Sequence, residues 1–309
     1  MNASLLDELS AGIRGQVRFD EPLAAYTTYR IGGPAAALVL PASTEDVVEV
    51  MRLCSRSEAR WLTIGLGSNV LISDAGFAGI VVRLGKGMDS VDHMDGGEVW
   101  RVGAGLPTPL LARRTARAGF AGIHRLIGVP GTVGGGVAMN AGAHGQDFSQ
   151  VVRSVEVVEE SGVVREVTTE DIPWCYRASG ISGAIVTRAT LQLLPGDSAE
   201  LQADIRKYFK WRKAGTPFDE PCCGSVFRNP CMVEGCQGDT SRTAGRCIDA
   251  AGLKGFRIGG AKVSERHANY IVNVGGATAA DVRALIDVVR EKVLKQLDIE
   301  LQLEVKLIE

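Results

Sequence analysis

The chain has 309 residues, with 34 Lys and Arg against 36 Asp and Glu and a formal charge of −2. That balance offers no basic excess to neutralise phosphates, so a nucleic-acid partner is not expected. Apolar residues make up 45% and charged residues 23%, the composition of an ordered globule long enough for two cores. Glycine stands out: its 38 residues are about 12% of the chain against an average near 7%. No collagen-like period accounts for the excess, which points to tight turns and to loops whose backbone approaches a ligand.

The N-terminal stretch carries Asp7 and Glu8 and no apolar run, unlike a secretory signal. No segment reaches the ~18 apolar residues of a membrane span. Seven cysteines in such a chain are expected as thiols rather than disulfides. A cytoplasmic protein without a membrane partner is therefore expected.

In chain order, the first clear element is a helix from Ser43, where Ser43 or Thr44 can cap and Val47, Val50, Met51 and Cys54 recur at helical spacing. A short apolar run at Trp61–Ile64 precedes the loop Gly65-Leu66-Gly67-Ser68-Asn69, and Gly79–Leu84 has the pattern of a buried strand. Further strands are expected at Val151–Val158 and Ala184–Leu194. The character changes after the turn Pro195–Ser198, so the main boundary is placed near residue 197, giving domains 1–197 and 198–309. Leu201–Lys213 has the pattern of a charged helix. Thr278 opens another, with Asp281 three residues on completing a capping box and Val282, Leu285, Ile286, Val289 and Val293 on one face. From Ile299 to Leu307 apolar residues alternate with Glu300, Gln302, Glu304 and Lys306, the pattern of a half-buried strand.

Two loops concentrate the glycine, Gly65–Asn69 and Gly128–Gly136, the second continuing to Gly142. Turns without side chains expose successive N–H groups that are able to ring a diphosphate. Neither loop has the G-x-G-x-x-G pattern with a following helix and a distant ribose-binding acid, and neither has the lysine of a P-loop. Taken without further context, either loop is equally a sharp turn in a β-rich domain.

Eight segments in order narrow this. They are T-T-Y-R-I-G-G-P-A (Thr27–Ala35), G-L-G-S-N-V-L-I-S-D-A-G-F-A-G (Gly65–Gly79), G-V-P-G-T-V-G-G-G-V-A-M-N-A-G-A-H-G (Gly128–Gly145) and Y-R-A-S (Tyr176–Ser179). G-S-V-F-R-N-P (Gly224–Pro230), A-G-L-K-G (Ala251–Gly255), G-G-A-K-V-S-E-R-H-A-N-Y-I-V-N (Gly259–Asn273) and L-E-V-K-L-I (Leu303–Ile308) follow. From about residue 20 to the end, the chain resembles the UDP-N-acetylenolpyruvoylglucosamine reductases, flavoenzymes of bacterial cell-wall precursor synthesis. The Tyr176-Arg177 segment runs directly into the Ala184–Leu194 strand, which resembles the shorter form that lacks an extra substrate-covering loop.

The resemblance implies an α+β architecture, with a vanillyl-alcohol-oxidase-type (PCMH-type) FAD domain of two subdomains before a smaller α+β substrate domain. It implies non-covalent FAD, with Gly65, Gly67, Ser68, Asn69, Gly131, Thr132, Gly134, Gly135, Asn140 and Gly142 binding the cofactor. NADPH would be the reductant and UDP-N-acetylglucosamine enolpyruvate the substrate, and a monomer is expected. Hydride would reach the vinyl CH2 carbon and a proton the alpha carbon, while charge accumulates on the carboxylate side. By the same resemblance Ser225 is the proton donor, although a serine after Gly224 is by itself an ordinary turn residue. Arg177 offers a planar fork for the carboxylate; by residue type alone it is a surface salt-bridge former. Glu304 would polarise that carboxylate or hold the proton network, which requires it protonated or bridged by a donor. Tyr176, Arg228, Asn229 and His267 are expected to contact substrate.

Some positions depart from the family pattern. Gly136 replaces a more usual alanine, His144 stands where tyrosine is common, and Gly180-Ile181 replace a bulkier aromatic. Residues 229–248 form a longer stretch than the pattern has. That stretch carries Cys231, Cys236 and Cys247, close to the adjacent pair Cys222-Cys223, but their spacing is not that of a zinc site, and no metal is expected. Two rivals stay open. One is another FAD-dependent oxidoreductase of this fold that tethers the cofactor covalently, with His124 as the local candidate. The other is a non-catalytic flavin- or UDP-sugar-binding protein.

Overall fold

Val- and Ile-rich runs favour pleated backbone because their branched side chains are stiff at χ1. In a computed structural model, which describes residues 3–94, 97–232 and 242–309, these runs form the strands of two compact units. The first unit comprises Met1–Glu21, Ala35–Leu66 and Ala78–Trp211; the second comprises Pro22–Pro34, Gly67–Phe77 and Arg212–Glu309. The division expected near residue 197 falls at the start of a helix, whereas the compact units change over at 211–212 and assign two upstream stretches to the C-terminal unit.

The first unit holds two larger sheets beside two short two-stranded pairings. One has the order Gln16–Pro22, Pro34–Leu40, Phe77–Arg83, Trp61–Ile64, the last two parallel with Trp61 opposite Ile80. The other is antiparallel, in the order Val164–Thr168, Val152–Glu159, Ala184–Gln192, Val99–Gly103, Val91–Met94. Helices α1 (Ala3–Gly12), α2 (Thr44–Ser57), α3 (Thr108–Arg117), α4 (Val133–Ala138) and α5 (Ser198–Gly215) as far as Trp211 complete it. Val47, Val50, Met51, Ile80, Trp100, Val155 and Ala189 are among its buried core.

α2 starts where its pattern places it, but neither hydroxyl caps it. Ser43 makes no capping side-chain bond, and Thr44 Oγ1 donates instead to Glu156 Oε1 at 3.2 Å. Asp46 in the same first turn is buried, and its carboxylate accepts from the N–H groups of Arg14, Gly15 and Ala42 at 3.0, 2.9 and 2.8 Å.

The second unit pairs Arg257–Ile258, Ala261–Val263 and Ile271–Asn273 in an antiparallel sheet. Val70–Ile72 and Lys306–Ile308 run parallel beside each other. Its helices are α6 (Ala244–Ala250) and α7 (Ala279–Leu297). The capping box of α7 forms as its sequence predicts: Thr278 Oγ1 accepts from Asp281 N at 3.0 Å and Asp281 Oδ2 from Thr278 N at 3.1 Å. Val282, Leu285, Ile286, Val289 and Val293 are all buried.

The C-terminal alternation is only partly a strand. Leu301 and Val305 are buried as expected, but regular pairing is confined to Lys306–Ile308, with Leu303 bridging Phe227 alone. The segment changes neighbours midway, from 226–228 to Val70–Ile72, and no continuous ladder spans that switch. Among the described residues no helix is long and apolar enough to cross a membrane.

Candidate functional site

In the first unit the two glycine loops meet. A Cβ on Gly65 would overlap Thr132 Oγ1, so this approach exists only because residue 65 is glycine. The second loop is not a turn throughout: from Val133 to Ala138 it is α4, with Thr132 as N-cap accepting from Gly135 N at 3.4 Å. Gly134 N donates to Ala104 O at 2.9 Å, and Gly131 O accepts from Thr108 N at 3.0 Å. Gly134 and Gly135 therefore use their N–H groups within the chain, and at Gly134 the lack of a side chain also lets the backbone pack against Ala104.

Downstream, Asn140 holds a left-handed backbone, φ 38°, and its amide works in two directions. Oδ1 accepts from Ser149 N at 3.1 Å and Nδ2 donates to Cys175 O at 3.2 Å. Gly142 lies in the short pairing of Gly142–Ala143 with Gln146–Asp147. Cys175 and Ala178 exchange main-chain bonds at 2.9 and 3.2 Å, closing a tight turn with Arg177 at φ 60°. The Arg177 guanidinium carbon stands 4.8 Å from the centroid of the Tyr176 ring, a cation–π distance. An arginine in the left-handed region is uncommon and strained, and such strain clusters at functional positions.

Gly136, one of the departures, has a packing cause. A Cβ there would overlap the Phe148 ring, with Cζ at 2.6 Å, so a fully buried phenylalanine occupies the space that a methyl group would need. His144, another departure, has φ 54° and stacks at 4.4 Å on Tyr208, with Trp211 edge-on at 5.0 Å. His124 is buried with Nδ1 accepting from Gly122 N at 3.4 Å and Nε2 3.7 Å from Asp204 Oδ2. Burial, then the Arg125 charge, lowers its pKa below the ordinary histidine value, against the pull of Asp204.

In the second unit Gly67, Ser68 and Asn69 stand close to Ser225 and Glu304. Gly67 O accepts from Thr28 N and Oγ1 at 3.2 and 3.3 Å. Asn69 Nδ2 donates to Glu304 O at 3.1 Å, and Lys306 N donates to Asn69 O at 3.0 Å. Glu304 N in turn donates to Val226 O at 2.8 Å, and Arg228 N to Gln302 O at 2.8 Å. This ladder sets Glu304 beside the residue that follows Ser225. Glu304 and Ser225 are both half-buried.

The remaining expected residues diverge. Asn229 Oδ1 accepts from Ala244 N at 3.1 Å, so its amide oxygen serves the start of α6. Arg228 has a buried Nε without a hydrogen-bond partner among the described residues, a donor still available. His267 Nδ1 accepts from Asn269 N at 3.2 Å, and its ring lies edge-on to Tyr270 at 4.9 Å. Burial, with the Arg212 and Lys254 charges, lowers its pKa below the usual histidine range.

Among the clustered thiols, Cys236 lies outside the described residues. Cys222 and Cys223 are pushed above the ordinary thiol range, in both cases chiefly by burial. Among the described residues no group of three or more His, Cys, Asp or Glu could hold a metal ion. Two residues without a sequence signal of their own pair with each other: Arg212, one of several basic residues on α5, donates from Nη2 to the hydroxyl of Tyr270 at 2.8 Å, and Tyr270 sits inside the segment that was singled out for His267.

In the first unit the two loops come together where Gly65 packs against the Thr132 side chain, a contact that a Cβ at residue 65 would prevent. An FAD binding domain model matches residues 35–168, and the model of the C-terminal domain of UDP-N-acetylenolpyruvoylglucosamine reductase matches residues 216–308. The chain is 41% identical over 306 residues to the UDP-N-acetylenolpyruvoylglucosamine reductase of Halalkalibacterium halodurans, covering 98% of each chain. It is 38% identical over 307 residues to that of Bacillus subtilis, again covering 98% of each. The crystal structure of the UDP-N-acetylenolpyruvylglucosamine reductase of Thermus caldophilus aligns with a TM-score of 0.79 at 33% identity, over 96% of this chain and 100% of that one. With an α+β fold, an FAD binding domain and full-length similarity of this degree, the chain belongs to the UDP-N-acetylenolpyruvoylglucosamine reductase family.

Proposed function

We propose that the protein reduces UDP-N-acetylglucosamine enolpyruvate to UDP-N-acetylmuramate in peptidoglycan precursor synthesis, with NADPH as reductant, acting in the cytoplasm as a monomer. The observation that supports this reading is the pair of bonds from Asn69 Nδ2 to Glu304 O and from Glu304 N to Val226 O, which sets Glu304 opposite the residue that follows Ser225. When bound, non-covalent FAD supplies two-electron hydride chemistry to the substrate's vinyl carbon. Gly65, Gly67, Ser68, Asn69, Gly131 and Thr132 would hold it through backbone and small polar groups. Gly134, Gly135, Asn140 and Gly142 would shape the wall behind them.

The chain's own residues then have three tasks. Arg177 clamps the substrate carboxylate through a bidentate fork and counters the charge that gathers there. Ser225 gives its Oγ proton to the substrate's alpha carbon, the role of a general acid. Glu304 steadies that proton network and acts through a protonated carboxyl or an intervening donor, since a bare carboxylate would repel the substrate anion. Tyr176, Arg228, Asn229 and His267 contact the nucleotide-sugar, Arg228 through its unsatisfied Nε and Asn229 through its amide nitrogen.

The test has two parts. The purified protein should show flavin absorbance that stays in the supernatant after acid precipitation, and should oxidise NADPH only when the enolpyruvyl substrate is present. Ser225→Ala should then leave flavin reduction by NADPH intact and slow reoxidation by substrate by roughly 10²–10⁴-fold. Absence of flavin with no recovery on adding FAD, or equal slowing of both half-reactions, would overturn the reading.

A further inference from the structure

Residues Arg206–Lys213, R-K-Y-F-K-W-R-K, are basic or aromatic at every position, in a chain whose net charge is −2. They lie in the second half of α5, and helical spacing sorts them by face. Leu201 is buried, and Ile205 and Tyr208 pack against the core of the first unit. Arg206, Lys207 and Lys210 are exposed on the side turned away from it, and none of them has an ion pair among the described residues. The acids of α5 sit in its first half, Glu200 in the first turn and Asp204 at 3.7 Å from His124 Nε2. Arg212 is engaged elsewhere, by the Tyr270 hydroxyl.

The neighbouring helix α3 repeats the pattern. Leu111, Ala112, Thr115 and Ala116 are buried, and the helix contains no acid. Its exposed face carries Leu110, Arg113, Arg114 and Arg117, at i, i+3, i+4 and i+7. The two helices meet twice. Ser198 Oγ donates to Arg117 O at 3.1 Å, and the Arg113 guanidinium carbon stands 5.9 Å from the centroid of the Phe209 ring. Both outward faces thus belong to one surface of the first unit. Large apolar groups stand among its cations: Leu110 is 40% exposed, Phe209 38% and Trp211 64%. Apolar side chains kept in water beside unpaired cations mark a surface that something else covers.

We propose that this face of α3 and α5 docks on a bilayer surface containing anionic phospholipid. The charge complementarity is direct: a plane of headgroup phosphates meets all six cations at once, and no single small anion reaches them together. The apolar members favour lipid over nucleic acid. A nucleic-acid strand is held along a basic groove with bases stacked on rings, whereas these cations lie on outward helix faces and Leu110 offers no ring. At a bilayer, phenylalanine, tryptophan and leucine settle at headgroup level while the longer arginine and lysine side chains reach the phosphates. Such a contact needs no spanning segment, so the expectation of no membrane partner, which followed from the lack of one, does not extend to it.

The experiment is co-sedimentation of the full-length protein with vesicles of roughly one-third phosphatidylglycerol in phosphatidylcholine, against phosphatidylcholine alone. Binding should appear only with the anionic vesicles and should fall as salt rises from about 0.05 to 0.5 M. Arg113→Gln, Arg206→Gln and Lys210→Gln combined should weaken it roughly a hundredfold, about fivefold for each cation removed. Leu110→Ala with Phe209→Ala leaves the charge intact and should weaken it roughly tenfold. All five positions are exposed, and thermal unfolding of each variant should match wild type. If the Phe209 variant fails to fold, the glutamine variant alone decides. Equal binding to both kinds of vesicle, or to neither, overturns the proposal, as does undiminished binding by the glutamine variant. A mixed-sequence single-stranded oligonucleotide is the competing probe. Binding to it as tight as to the anionic vesicles, with no loss in the Leu110 and Phe209 double variant, assigns the face to nucleic acid and overturns the membrane reading.

Discussion

Asn140 Nδ2 donates to Cys175 O at 3.2 Å, and that bond ties the end of the second glycine loop to the turn that carries Arg177. The same amide accepts from Ser149 N at 3.1 Å, from a backbone at φ 38° that asparagine tolerates better than most residues. A loop expected to hold cofactor and a turn expected to hold substrate thus share one side chain.

Asn140→Ala should cost about 2–4 kcal/mol, from two lost bonds in a buried setting and from a left-handed backbone that alanine tolerates less well than asparagine. Asn140→Gly should cost less, since glycine adopts that backbone freely. Thermal or denaturant unfolding measures both, and equal losses would show that backbone conformation contributes nothing here.

Arg177 separates stability from activity. Arg177→Gly releases about 1–2 kcal/mol of left-handed strain against roughly 0.5–1 kcal/mol of added chain entropy, so unfolding should be unchanged or slightly later. Turnover should nonetheless collapse. Arg177→Lys keeps the charge but not the planar fork, and should stay roughly a hundredfold or more below wild type. Near-normal steady-state turnover in the lysine variant would remove the carboxylate clamp.

Gly136→Ala should destabilise by about 1–3 kcal/mol, because its methyl group would overlap the Phe148 ring. Phe148→Leu in the same chain should recover part of that loss by vacating the space. Unfolding midpoints of the two single variants and the double variant give the coupling, and additive losses would refute the packing account.

His267 has a lowered pKa in the fold, caused first by burial and then by the Arg212 and Lys254 charges. The sign follows from linkage: above the unfolded value of about 6.5 the ring is neutral in both states and its contribution is intact. As pH falls below that value the unfolded chain takes up a proton that the folded chain resists, so stability declines until the lower folded pKa is passed. His124, lowered by burial and Arg125, acts in the same direction. His267→Gln should therefore flatten part of the acid-side loss in unfolding measured from pH 7.5 to 5, and an unchanged pH slope would count against this assignment.

The legible features of this chain were those set by local periodicity. Thr278 and Asp281 close a capping box because three residues separate them, and Val282 to Val293 line one buried face because the helix repeats every 3.6 residues. The strand positions from Trp61 to Gln192 followed from Val and Ile runs in the same way. The ordered segments from Thr27 to Ile308 also carried the family, since each holds residues whose types and spacing are specific as a set.

Tertiary structure decided the rest. Ser43 has the right side chain for a cap and does not use it, while the hydroxyl of Thr44 donates to Glu156 from a distant strand. The end of the chain alternates as a strand should, yet pairs regularly only at Lys306–Ile308, because its neighbours change along its length. Segments 22–34 and 67–77 belong with residues far downstream, a grouping set by contacts of long sequence separation. Tyr270 had no spacing or composition to mark it; only the fold brings its hydroxyl to Arg212 Nη2. Periodicity records what a residue does toward its own element, while a hydrogen bond between elements depends on where the whole chain places them.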